Sequence, residues 1–173
     1  MDKIERGIEK IINVAGKTLS LLLLLMTLNV AFDVLMRYAL HNSSVAMQEM
    51  EWHLFAVIFL FGISVSLKDE AHVRVDFLYE RFSPRTKAAI NIFGTVFFLL
   101  PFALLITAGS FTFVHDAWMT GEISGNPDGL PFRWLIKGLI PLSFAFLLLS
   151  AAGYILRNIR VFQEFREFQE AEK

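Results

Sequence analysis

The chain alternates long apolar runs with short polar segments. Three of the runs, residues 18–36, 88–114 and 132–156, are each long enough to cross a bilayer, because a helix needs about 20 apolar residues to span a hydrocarbon core about 30 Å thick. The second run is longer than required, so we predict that it tilts and that Pro101 kinks it. The apolar pattern therefore predicts three membrane-spanning helices.

Two prolines indicate where helices begin. Ser83 followed by Pro84 is typical of an N-cap residue with proline at the first helical position. Pro131 is predicted to start the last helix in the same way.

A fourth apolar run, residues 54–67, has only 14 residues, so its length also permits a re-entrant or buried helix. The basic residues favour a crossing, since Lys and Arg concentrate in the cytoplasmic loops of membrane proteins. They fall in the N-terminal tail (Lys3, Arg6, Lys10, Lys17), in a middle segment (Lys68, Arg74, Arg81, Arg85, Lys87) and in the C-terminal tail (Arg157, Arg160, Arg166, Lys173). Segments 38–51 and 115–130 carry none. Three basic segments that alternate with two non-basic ones require four crossings.

The expected fold is an all-α integral membrane protein that forms one membrane domain over residues 1–173, with both termini in the cytoplasm. Its spans are predicted at about residues 18–38, 50–67, 87–114 and 131–156. Short amphipathic helices that lie in the membrane plane are expected in the three basic segments. Their apolar stripes are Ile4, Ile8, Ile11 and Ile12; Val75, Leu78 and Phe82; and Ile155, Ile159, Phe162, Phe165 and Phe168.

Composition narrows the functional classes. The formal net charge of −1 does not suggest a nucleic-acid partner. The chain has no Cys, which excludes disulfides, thiolate metal sites and cysteine nucleophiles. The polar first 17 residues mix both signs of charge, and no small-residue cleavage site follows, so we do not expect a signal peptide.

Asn29, Asp33 and Arg37 form a polar stripe at the outer end of the first helix, spaced four residues apart. Asp33 and Arg37 stand in the favourable order for an ion pair. Polar groups inside membranes suggest an ion or substrate pathway. A structural network that joins helices is the interpretation we favour, because a pair on one helix is no proton relay and Arg37 can extend to the interface.

Glu49 and Glu51 open the second helix on the side where Arg37 lies, and either could pair with Arg37. Two neighbouring carboxylates can serve acid–base catalysis. No nucleophile, metal-ligand set or phosphate-binding loop accompanies them, so structural pairing is favoured and enzymatic activity is not expected.

The histidines allow a redox alternative. His53 and His115 are predicted at similar depth on different helices, which would suit a haem. Histidine ligands usually lie well inside a bundle, so interfacial side chains that contact solvent are favoured and no cofactor is expected. A haem-binding membrane redox subunit remains the alternative function.

The chain lacks an internal repeat and a charge at mid-membrane depth. Secondary transporters usually have repeats and broken helices that meet at a midplane site. Four helices without these features predict an accessory membrane subunit.

Several short motifs follow one another along most of the chain. They are Arg37-Tyr38 at the end of the first helix, Gln48-Glu49 and Gly62 in the second, His72-Val-Arg-Val-Asp76-Phe-Leu after it, and Trp134 followed by Ile140-Pro141-Leu142 in the fourth. In this order they resemble the small, Q-type membrane subunit of tripartite ATP-independent periplasmic (TRAP) transporters. An acidic doublet often opens the second helix in this family, and here Gln48 stands at its first position.

The resemblance implies a non-catalytic subunit of the bacterial inner membrane. In the family it braces a large, sodium-coupled transport subunit and helps to dock a periplasmic binding protein that delivers an organic acid, often a carboxylate or sialic acid. Membrane lipid is a further expected partner. By this analogy Asn29, Asp33, Arg37, Glu49 and Glu51 are architectural or lie at a subunit interface. The docking candidates are His115, Asp116, Asn126, Asp128 and Arg133.

Overall fold

Long helices make up most of the protein. The computed structural model describes residues 2–42, 44–71 and 79–171, and these residues contain no strand. The helices are α1 (Asp2–Ala39), α2 (Val45–Lys68), α3 (Pro84–Met119) and α4 (Arg133–Ala171). Each contains a stretch that is long and apolar enough to cross a membrane. The prediction of an all-α protein with four such helices is therefore confirmed.

Helix α2 begins earlier than the sequence predicted. Ser44 has an extended backbone and caps the helix, because its hydroxyl accepts a hydrogen bond from the Met47 amide at 3.4 Å. The helix then runs for 24 residues, or about 36 Å at a rise of about 1.5 Å per residue. That length is sufficient for a crossing, and it places Glu49 inside the helix.

The two proline predictions have different outcomes. Ser83 caps α3 by accepting a hydrogen bond from the Thr86 amide at 3.2 Å, and Pro84 occupies the first turn as predicted. The prediction for Pro131 was wrong. It lies in the preceding loop, and α4 begins at Arg133 after Phe132, whose φ of +60° is not helical.

Helix α3 contains one irregular turn. Residues Thr95–Leu99 form a π-helical turn, in which the Leu100 amide donates to the Thr95 carbonyl. Pro101 follows directly; it has no amide proton, and in a regular helix its ring would clash with the carbonyl four residues earlier. The wider turn thus lies where the sequence predicted a kink.

Helix α4 is the centre of the bundle. It packs against each of the other helices, with α1 and α2 on one side and α3 on the other. In its apolar stretch 39% of the residues are buried, against 6% in α1. The buried apolar core joins α2, α3 and α4, and consists of Leu67, Ala103, Leu147, Ala151 and Tyr154.

Small polar side chains join the helices inside this core. Ser150 on α4 donates to the Ser64 carbonyl on α2 at 2.8 Å. Asn91 on α3 donates to Asn158 on α4 at 2.9 Å. Such contacts replace water as the partner of polar groups within a membrane.

The bundle has two distinct ends. At the termini end, Glu5 of α1 pairs with Arg160 of α4 at 2.9 Å, so the first turns of α1 and the C-terminal part of α4 lie together. At the loop end, the α1–α2 connection and the α3–α4 loop, residues 120–132, lie together. Consecutive helices are therefore antiparallel.

The N-terminal amphipathic segment continues α1 without a break. Ile8 and Ile12 are buried beside Gly153 and Tyr154 of α4, whereas Ile4 and Ile11 are exposed. Half of the predicted apolar stripe therefore packs on protein. The segment from His72 to Leu78, and the side chains of Phe165 and Phe168, lie outside the described residues.

Candidate functional site

The most highly organised polar site is at the loop end and is built on Glu49. This residue lies in the second turn of α2 and is only 4% exposed. A buried carboxylate needs hydrogen-bond donors to offset the loss of its hydration. Among the described residues, all of its donors come from the α3–α4 loop.

Both oxygens of the Glu49 carboxylate are occupied. Oε1 accepts from the Ser124 hydroxyl and from Asn126 Nδ2, the latter at 3.2 Å. Oε2 accepts from the Leu130 amide at 2.6 Å. We call Glu49, Ser124, Asn126, Gly129 and Leu130 the carboxylate latch, because one side chain of α2 holds the loop at three points.

The backbone of the loop is shaped to present these donors. The Ser124 amide donates to the Leu130 carbonyl at 3.3 Å, and the Gly129 amide donates to the Asn126 carbonyl at 3.1 Å. Gly129 must be glycine for a steric reason: a Cβ there would overlap the Ser124 side chain and lie 3.0 Å from Oε1 of Glu49. The loop therefore closes tightly around the carboxylate.

Glu122 forms a second attachment, between the loop and α4. Its carboxylate accepts from Lys137 and lies 3.8 Å from Nε of Arg133. The Arg133 guanidinium also lies over the ring of Trp52 on α2, at 5.5 Å. The loop is thus fixed to α2 by the latch and to α4 by an ion-pair cluster.

The polar stripe of α1 lies beside α2 at the same end. Asp33 is 2% exposed and pairs with Arg37, and Asn29 donates to the Met47 carbonyl at 3.3 Å. The sequence also allowed Arg37 to pair with a carboxylate of α2. The structure instead directs Glu49 to the loop, and Oε1 of Glu51 is buried without a partner among the described residues.

The two histidines of the redox alternative have separate local partners. His53 Nδ1 bonds to the Glu49 carbonyl of its own helix, and its ring centroid lies 3.9 Å from that of Trp52. His115 lies 3.6 Å from Asp116 at an exposed position. Among the described residues, no contact joins the two histidines, and no three His, Asp or Glu side chains converge as metal ligands.

The docking candidates fall into two groups. His115, Asp116 and Asp128 are exposed at the loop end, as a docking role requires. Asn126 is also exposed, but its side chain donates to Glu49 in the latch, and the half-buried Arg133 belongs to the Glu122 cluster. The sequence did not single out Ser124 and Leu130, because nothing local marks a loop residue as the partner of a glutamate more than 70 positions earlier. It also did not single out Glu122 and Lys137, which pair between the loop and α4. The only signal was the density of turn residues around Gly129.

The fold and the site together define a multi-pass α-helical membrane protein with a structured polar loop at one end. The sequence profile of the family described as tripartite ATP-independent periplasmic transporters, DctQ component, matches residues 26–161. The chain therefore belongs to this family.

A relative in Haemophilus influenzae carries the provisional name TRAP transporter small permease protein. It is 25% identical over 156 residues, which cover 88% of this chain and 97% of the relative. The two chains therefore correspond over nearly their full lengths.

Proposed function

We propose that this chain is the non-catalytic small membrane subunit of a TRAP transporter. Family membership over residues 26–161 is the observation that carries the proposal. Its partners would be a large, multi-span, sodium-coupled transport subunit and a periplasmic binding protein. The imported substrate would be an organic acid of the carboxylate or sialic acid class, and the transport site would lie on the large subunit.

The proposed location is the bacterial inner membrane, with the termini end in the cytoplasm. The distribution of charge supports this orientation, because cytoplasmic segments are enriched in Lys and Arg. Among the described Lys and Arg residues, only three lie at the loop end, namely Arg37, Arg133 and Lys137. Each of them pairs with a carboxylate. The loop end would then face the periplasm.

The bracing role would use the exposed apolar faces of α1 and α3. Core packing among the described residues is concentrated on α4, and α1 and α3 leave most of their apolar side chains exposed. Lipid covers such faces in a lone subunit, and a large subunit would cover part of them in a complex. The Asp33–Arg37 pair and Asn29 would hold α1 against α2 for this purpose.

The docking role would use the α3–α4 loop as a prefolded surface. A loop that is already fixed loses less conformational entropy when a partner binds, which favours affinity. Two exposed charges of the loop and the adjoining last turn of α3 have no Lys or Arg partner among the described residues, namely Asp128 and Asp116. The surface would therefore suit a basic patch on the binding protein.

Affinity purification from native membranes tests the assignment of a partner. A tagged chain is expected to co-purify with a large multi-span membrane protein. Recovery of a folded chain without such a protein, at expression levels near the native one, would contradict the proposal.

Site-directed crosslinking tests docking separately, since the chain has no cysteine of its own. Gly125→Cys, in the exposed part of the loop, is expected to crosslink to the binding protein. Glu80→Cys, exposed at the termini end, is the matched control and is expected to remain unlinked. Equal crosslinking at both positions would remove the support for docking at the loop.

A further inference from the structure

An open apolar groove lies between α3 and the C-terminal part of α4, away from the latch. Its volume is about 340 Å³, and its lining comprises Ala89, Ile92, Phe93, Val96, Phe97 and Phe162. Val96 and Phe97 belong to the π-helical turn. Every lining residue is apolar, so the groove suits a hydrocarbon chain.

A cation stands at the mouth of this groove. The Arg85 guanidinium lies 4.8 Å from the centre of the Phe162 ring, which forms one wall. Arg85 precedes Ala89 by one helical turn, so it lies directly above the groove on the same face of α3. Arg85 has no carboxylate partner among the described residues, and its planar set of donors matches the oxygens of a phosphate group.

Lys87 adds a second charge at the same depth. Its ammonium lies 5.2 Å from the centre of the Tyr79 ring, and it too lacks a carboxylate partner in the described part of the chain. At the loop end, by contrast, the described cations are paired with Asp33 or Glu122. The start of α3 is therefore a place where positive charge is left available.

The depth of the groove fits one leaflet of a bilayer. Residues 88–114 carry no charge, so Arg85 and Lys87 must lie at the membrane surface. Arg85 and Phe97 are 12 positions apart, or about 18 Å at about 1.5 Å per residue. Half of a hydrocarbon core of about 30 Å is about 15 Å. A headgroup beside Arg85 would thus place an acyl chain along the groove.

We propose that this groove is a binding site for an anionic phospholipid from the leaflet at the termini end. The acyl chain occupies the groove, the Arg85 guanidinium binds the phosphate, and Lys87 favours a headgroup with net negative charge over a zwitterionic one. The site is separate from the carboxylate latch and does not depend on the transporter role.

Native mass spectrometry of the full-length chain tests the site. The protein is reconstituted in nanodiscs with equal amounts of phosphatidylglycerol and phosphatidylethanolamine. It is then released in the mass spectrometer, and the masses of the protein and of its lipid complexes are measured. Wild-type protein is expected to retain phosphatidylglycerol in several-fold excess. Arg85→Gln is expected to lower retained phosphatidylglycerol several-fold, and Ala89→Phe, which fills the exposed groove, is expected to lower retention of both lipids.

Two control variants separate the site from general effects. Lys10→Gln removes an exposed charge at the same end, and Ala31→Phe adds a ring to an exposed position on α1. Both are expected to retain phosphatidylglycerol as wild type does, and circular dichroism confirms that every variant is folded. Equal losses in Arg85→Gln and Lys10→Gln, or unchanged retention in Ala89→Phe, would overturn the proposal.

A partner helix is the competing occupant. Ala89→Cys in complexes isolated from native membranes distinguishes it, since a helix in the groove would lie within crosslinking distance of the introduced thiol. A crosslink to a second protein, together with no preference for phosphatidylglycerol, would reject the lipid site. No crosslink and a retained preference would support it.

Discussion

Glu49 shows how a charge at the start of a membrane helix can be accommodated. Its carboxylate is removed from water, but three donors of the α3–α4 loop replace the hydration. Hydrogen bonds to charged groups contribute more to stability than neutral ones do, about 1.5–3 kcal/mol each as a net value. The same bonds fix a loop that would otherwise be free to move, so this side chain couples the stability of α2 to the shape of the loop.

We expect Glu49→Gln to destabilise the protein by about 1–3 kcal/mol. Gln has a single acceptor oxygen in its side chain, which cannot replace both Oε1 and Oε2 of Glu49. Thermal unfolding in detergent measures the loss, and hydrogen exchange of residues 122–131 is expected to rise. Glu51→Gln is the matched control. Its buried Oε1 has no partner among the described residues, so the change is expected to be neutral or stabilising. A larger loss in the control would show that the latch is not the source of the effect.

Gly129→Ala is expected to open the latch without removing any polar group. The added methyl group would overlap the Ser124 side chain and crowd Glu49. Overpacking of this kind costs about 1–3 kcal/mol, and faster exchange of the Leu130 amide would report it. Gly125→Ala, in the same loop with no atom within 4 Å of the new Cβ, should behave as wild type. Equal stability and equal amide exchange in the two variants would contradict the close approach of residue 129 to Ser124 and Glu49.

Arg37→Ala is expected to weaken the packing of α1 on α2. It leaves the buried Asp33 without its counterion, but Arg37 is partly exposed. We therefore expect the free energy of unfolding to fall by only about 1 kcal/mol. Thermal unfolding measures it, and Arg37→Lys should recover most of the stability because it keeps the charge. No change in Arg37→Ala would show that the pair contributes little.

At the scale of elements, α4 organises the bundle through close contacts at small residues. Gly153 lets α1 approach, since a Cβ at this position would lie 2.9 Å from Cγ2 of Ile8. Ser150 approaches α2 closely enough to donate to the Ser64 carbonyl. Helices in membranes associate through such close packing, because lipid is as apolar as the helices themselves.

Gly153→Ala is expected to push α1 away from α4 and to lower the free energy of unfolding by about 1–3 kcal/mol. Gly138→Ala is the control on the same helix, because nothing lies within 4 Å of its new Cβ. The combination Ile8→Ala with Gly153→Ala should show a smaller loss than the sum of the single variants, as residues in contact do. Additive losses in thermal unfolding would count against direct contact.

The elements were predictable where the apolar pattern alone defines them. Runs of about 20 apolar residues can be buried in lipid only as helices, so α1, α3 and α4 followed from composition. The start of α2 was placed near Glu49 and Glu51, because these carboxylates end the apolar pattern, whereas the helix begins at Val45. Their side chains are tolerated inside the helix because the tertiary structure supplies donors to Glu49, and the local sequence does not show this. The latch was unpredictable for the same reason, since its donors lie 75 to 81 positions away.

At the scale of the whole molecule, the two ends differ in charge and in construction. Most of the described Lys and Arg residues lie at the termini end, where Arg160 pairs with Glu5, a residue 155 positions earlier in the chain. The loop end carries three described cations, each beside a carboxylate. The orientation of a membrane protein follows the number of Lys and Arg near its spans, and Asp and Glu have little effect on it. The small number of cations at the loop end therefore supports the proposed orientation.

Single cysteines test that orientation in the cysteine-free chain. Gly125→Cys is expected to react with a membrane-impermeant maleimide in intact spheroplasts. Gly7→Cys, at an open position near the other end of α1, is expected to react only after the membrane is permeabilised. The reverse pattern would invert the proposed topology.

The π-helical turn of α3 has a consequence for how chain length is compared among relatives. A bond from Leu100 to Thr95 encloses one residue more than an α-helical bond does. The π-helical turn thus adds one residue between the two halves of α3, and each half still packs against α4. A homologous helix that lacks this residue could keep both halves against α4, and an alignment of the two chains should then place a single-residue gap between positions 95 and 99.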